Sequence, residues 1–197
     1  MKKTSILALS LLAVWFCGTG LKGQTTTQTT PAITDADKAE LDRLNDHAAK
    51  LFVEAIKEAL EKPRSSNMEK YAEVVQGHRA ALTLSERVLG AEHHDTLESR
   101  MNLVNSLRGM GKQDEAVKEL RELLKAQEHA LGVEHPKVLQ SCFYLAVDLE
   151  TQKNLKEALE LAQRAEAGWQ KLQGTDHGYF KRAKMVRERI EAKLKAK

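Results

Sequence analysis

Histidines stand at 93, 135 and 177, each 42 residues from the next. Imidazole can ligate a metal or move a proton, so three of them in register pose a chemical question. One ion holds its nitrogen ligands at about 2 Å. Equivalent loops of stacked helix pairs lie roughly 10 Å apart by ordinary helix spacing. The three rings therefore cannot close on one metal. His93 and His94 adjoin, but no third ligand follows them at helical spacing. Cysteine is the other candidate for chemistry, and there are 2, Cys17 and Cys142. No motif sets a base beside Cys142, so it reads as a small buried core residue. His47, His78 and His129 fall inside helical stretches and read as surface or boundary positions. The chain has no Gly-rich phosphate loop, no paired-histidine metal helix and no serine elbow. The expectation is no catalytic residue, no metal and no cofactor.

The histidines belong to a longer phrase. "LGAEHHDTL" at 89–97, "LGVEHPKVL" at 131–139 and "QGTDHGYFK" at 173–181 share one spacing. The same offset aligns Gly90, Gly132 and Gly174, and pairs Leu97 with Leu139, Leu103 with Leu145 and Leu107 with Leu149. Glu73, Glu115 and Glu157 also coincide, as do Ala116 and Ala158. A fixed period of this length marks a stacked-repeat architecture. Inside one unit, Leu97, Met101, Val104 and Leu107 form a helical stripe. Gly109 and Gly111 are expected to stop that helix. A second stripe runs from Gln113 to Leu131 through Ala116, Val117, Leu120, Leu123 and Leu124. Gly132 is expected to end it in the same way, and Pro136 suits the first position of the next helix.

This unit resembles a tetratricopeptide repeat, in the 42-residue variety of kinesin light chains and many bacterial proteins. The matching residues are Leu89-Gly90, His93, Thr96-Leu97, Asn102-Leu103-Val104, Gly111-Lys112 and Glu115-Ala116. The next copy gives Leu131-Gly132, His135-Pro136, Val138, Leu145-Ala146 and Glu157-Ala158. His94 stands where the family has Pro, Tyr144 where it prefers Asn, and Lys153-Asn154 where it has Gly-Lys. The resemblance implies an all-α, right-handed solenoid of helical hairpins with a concave groove. The first helix of each hairpin would line that groove, where extended peptides bind. Carried over by position, the groove residues are Met101, Asn102, Asn105 and Arg108 in one copy, with Phe143, Tyr144 and Val147 in the next. The implied partner is a peptide or another protein.

Around the repeats, Asp35 to Lys62 reads as one long helix capped by Thr34 or Asp35, broken at Pro63–Asn67 and followed by a helix over Met68–Leu89. The repeat domain is placed at 35–197, with approximate repeats 35–90, 91–132 and 133–174 and a capping helix over 177–195. From Lys171 to Lys197 nine Lys and Arg face three Asp and Glu, a net +6. A polar end helix keeps an open solenoid in solution. A second reading of its basic face is contact with an anionic membrane or wall polymer, or with another copy of the chain. Nucleic acid is not expected, because aromatic residues hardly interleave with the charges and export would remove most of it from reach.

The chain opens with Lys2 and Lys3, an apolar run from Ile6 to Phe16, and Gly18-Thr19-Gly20. That is the layout of a secretory signal peptide, over 1–23, and the run is short for a membrane span. The protein is expected to be exported, periplasmic or secreted. The alternative is an uncleaved N-terminal anchor. The stretch 24–34, polar and rich in Thr and Gln, reads as a flexible linker.

Overall fold

The computed structural model describes residues 34–61 and 68–196. The expected signal segment, most of the linker and the break at 63–67 lie outside them. Seven helices follow one another: α1 (Asp35–Glu61), α2 (Met68–Leu89), α3 (His94–Met110), α4 (Gln113–Leu131), α5 (Pro136–Thr151), α6 (Leu155–Gln173) and α7 (Gly178–Lys195). There is no strand among the described residues. Each helix packs on the next, and α5 also touches α7. This is a solenoid of helical hairpins: α1–α2, α3–α4 and α5–α6, closed by α7. No helix among the described residues is long and apolar enough to cross a membrane.

The expected stripes form the core. Leu97, Val104, Leu107, Leu120, Leu123, Leu139, Leu145 and Leu149 are all buried. Each of these side chains contributes about 1.5–3 kcal/mol by leaving water. Trp169 sits in the same cluster and stacks on Tyr179, with ring centroids 4.6 Å apart. At the start of α1 the Thr34 hydroxyl accepts from the Asp37 N–H at 3.1 Å, while Asp37 Oδ2 accepts from the Thr34 N–H at 3.2 Å. That reciprocal pair satisfies two donors that a helix start leaves bare.

The repeat also writes itself into ion pairs between hairpins. Arg79 of α2 reaches Glu115 of α4, and Arg121 of α4 reaches Glu157 of α6. Both pairs span 36 residues, and each member lies 42 from its counterpart. One arrangement therefore recurs at successive junctions.

Three expectations need correction. Gly109 does not stop α3, which runs to Met110. Its hydrogen side lies against the Tyr71 ring, and a Cβ there would meet Tyr71 Cε1 at 2.7 Å. Gly111 alone makes the left-handed cap, with φ 84° and ψ 12°. Gly132 does not end α4 in that way, because its φ of 84° comes with an extended ψ of 153°. Finally, His78 is no surface or boundary residue. It is 3% exposed, with Nδ1 2.7 Å from Ser106 Oγ. His47 and His129 are exposed.

Candidate functional site

The first helices of the hairpins, α3 and α5, are joined through their side chains, as are α5 and α7. Met101 and Asn102 line a pocket of about 190 Å³ between α3 and α5. Leu97 and Met101 give it an apolar floor. Glu98, Asn102, Lys137 and Gln140 give it a polar rim. Lys137 Nζ donates to Glu98 Oε1 at 2.9 Å and lies 3.3 Å from His94 Nδ1. The lysine holds the Glu98 carboxyl below its ordinary range, so the rim carries a fixed ion pair at neutral pH. Asn102 is exposed, and Gln140 Nε2 donates to Tyr179 Oη at 3.5 Å. Two carboxamides beside an apolar floor can bond an extended backbone while the floor takes one side chain.

The other expected groove residues sit along the same helices. Arg108 donates to Asp148 Oδ2 from Nε at 3.0 Å and Nη2 at 2.7 Å, and to the Tyr144 carbonyl at 3.2 Å. Its guanidinium lies over the Tyr144 ring at 4.9 Å. Burial pushes the Asp148 carboxyl up, against the pull of Arg108. Asn105 and Val147 are half-buried. Phe143 is buried, with its ring edge-on to Tyr144 and covered by Arg182 at 5.1 Å. Met101 and Asn102 thus share a pocket, and Arg108, Tyr144 and Phe143 form a second group.

Sequence reasoning missed Glu98, Lys137, Gln140 and Asp148. A signal was present for two of them. Glu98, Gln140 and Arg182 fall 42 apart, one turn before Asn102, Tyr144 and Val186.

The in-register histidines have a structural task. Nδ1 of His93, His135 and His177 accepts from the backbone N–H two residues on, at 3.2, 3.2 and 3.3 Å. Each ring caps the start of α3, α5 or α7, the place usually given to Ser, Thr, Asp or Asn. No group of three metal-ligating side chains gathers among the described residues. Cys142 is fully buried and its thiol is pushed up to about 11, so it stays protonated at neutral pH.

Much of the basic face of α7 is engaged within the molecule. Arg189 and Lys193 clasp the buried Glu150, Lys193 at 2.8 Å. Arg187 pairs with Glu166 and Glu191.

Stacked hairpins with an open first-helix face define a helical-repeat scaffold. The tetratricopeptide repeat model matches residues 96–137, one 42-residue unit from α3 into α5. The nearly identical TPR-like repeats of Podosopora anserina, assigned to a kinesin light chain, superpose with a TM-score of 0.63 at 21% identity. A variant form of the same repeats gives 0.64 at 21% identity. In both, 76% of this chain and 66% of that chain are covered. This chain thus spans just under two thirds of the length of either. No curated protein matches. The chain thus matches one tetratricopeptide repeat over residues 96–137 and shares its fold with those kinesin-light-chain repeats. Such repeats are generally non-catalytic scaffolds that bind protein partners.

Proposed function

We propose that the protein is an exported interaction module that holds an extended protein segment along the face of α3 and α5 and performs no chemistry. The pocket carries this reading: exposed Asn102 and half-buried Gln140 stand beside the Leu97–Met101 floor. Small grooves of this kind fix a ligand by a few placed polar groups and one buried anchor. Arg108 and Tyr144 lie further along the same helices and extend the face. The export part of the reading rests on Lys2, Lys3 and the apolar run Ile6–Phe16.

Peptides selected from a display library on residues 24–197 would test the groove. Binding is expected to weaken about 10-fold or more in Asn102→Ala/Gln140→Ala, at the 1–3 kcal/mol scale of unmade hydrogen bonds. Selected peptides that bind the double variant as tightly as the parent would overturn the assignment. N-terminal sequencing of the fractionated protein tests export: a mature start near Leu21–Gln24 is expected, and an intact Met1 in the cytoplasm would overturn it.

A further inference from the structure

The junction between the first hairpin and α3 is held by a titratable group. His78 of α2 is 3% exposed, and its ring meets Phe52 of α1 edge-on at 6.5 Å. Its Nδ1 lies 2.7 Å from Ser106 Oγ of α3. The Ser106 hydroxyl donates its one proton to the Asn102 carbonyl at 2.9 Å. With that bond made, Ser106 accepts from His78 Nδ1, and a neutral ring then carries its proton there. One ring thus touches α1, sits on α2 and bonds α3.

We propose that His78 is a proton-sensitive latch that seats the α1–α2 hairpin on α3 when neutral and releases it when protonated. A second proton on the ring would bury a full charge. Carboxylates of the surrounding helices are already committed to other partners. Glu115 of α4 serves Arg79 and Lys112, Glu86 of α2 serves Arg100 of α3, and Asp148 of α5 serves Arg108 of α3. From α1 the facing group is the Phe52 ring, while the charged Lys50 and Glu54 of that helix are exposed. The hairpin also stands at one end of the described stack, with α2 the main packing partner of α1.

The direction with pH follows. Burial pushes the His78 imidazole below its ordinary value. Histidine in an opened hairpin protonates near pH 6.5. The neutral ring's contribution is whole above about pH 6.5, shrinks as pH falls, and is lost as pH passes the folded value. One proton allows the opening equilibrium to rise by at most about tenfold per pH unit. The latch does not depend on what the pocket holds.

Amide hydrogen exchange of the full chain at pH 7.5, 6.5 and 5.5, corrected for intrinsic exchange rates, reads the opening directly. Amides of α1 and α2 are expected to open more between pH 6.5 and 5.5 than between 7.5 and 6.5, with those of α4–α6 changing less. In His78→Gln, whose carboxamide can still donate to Ser106 but takes up no proton, the α1–α2 profile is expected to be flat. A flat wild-type profile would overturn the latch. So would a variant as steep as wild type, since the exposed His47 or the three capping imidazoles would then carry the effect. Should the variant open at every pH, the His78 ring signal of the wild-type protein decides. A midpoint below about 6.5 supports the latch, and one at or above it refutes it.

Discussion

Position 100 in α3 and position 142 in α5 are one place in two successive hairpins, yet they are filled by opposite chemistry. Arg100 reaches from α3 between α2 and α4, donating to Glu86 on one side and Glu119 on the other, with its side chain only 13% exposed. Cys142, 42 residues later, is fully buried and apolar in character. Its surroundings changed with it: Glu119 becomes Leu161, and Glu128, the counterpart of Glu86, turns to Arg164 instead. Beside that site a crevice of about 390 Å³ opens between α4 and α6 over Leu124, Leu145 and Leu161. A repeat thus fixes where side chains meet, not how the meeting is stabilised. The ion trio is satisfied only as a set: where Cys142 replaces the arginine, Leu161 replaces one acceptor and the other, Glu128, has Arg164 as its partner.

Mixing the two solutions should be most costly. Cys142→Arg alone buries a second cation near Arg164, whose partner Glu128 is already engaged, and should cost more than about 4 kcal/mol in urea unfolding. Adding Leu161→Glu restores one acceptor and should recover about 1–3 kcal/mol as a coupling in the double-mutant cycle. A coupling near zero would mean that the surrounding backbone, not the acceptor, sets the chemistry. Arg100→Ala should cost about 3 kcal/mol, towards the low end for a broken buried pair, because Glu86 is more than a third exposed and water screens it. The smallest effect concerns the cap after each first helix. Gly111 and Lys153 occupy equivalent left-handed positions, with φ of 84° and 64°. Lysine pays a steric cost there that glycine avoids. Lys153→Gly should therefore stabilise by about 1 kcal/mol, and Gly111→Ala should destabilise by a similar amount. Equal midpoints for parent and Lys153→Gly would remove the strain argument.

Most of the architecture was legible because it repeats. The start of α1 followed from Thr34 and the apolar stripe, and the expected helix over Met68–Leu89 is the one observed. What escaped was mostly polar. His78 looked like a surface residue by type, but it aligns with Leu120 and Ala162, both fully buried. Its register, not its chemistry, was the better guide. Phe143 shares its register with Met101 and Met185, and what differs is the cover: Arg182 lies over Phe143, whereas Met185 is 56% exposed. The histidine caps were missed because imidazole is an unusual choice for that place. Gly109 was read as a stop because glycine has two uses, and only the Tyr71 ring against it distinguishes close approach from a turn.

The rungs Arg79–Glu115 and Arg121–Glu157 carry an implication for descent. Glu115 and Arg121 lie six residues apart, so a 42-residue unit that contains both has each of their partners, 36 residues away, in a neighbouring unit. A tandem duplication of the 42 residues containing Glu115 and Arg121 would bring one acceptor for the unit before and one donor for the unit after. Such an array could lengthen without stranding a charge in its middle. At position 163, where the series would call for another arginine, the chain has glutamine, so the series of donors stops at Arg121.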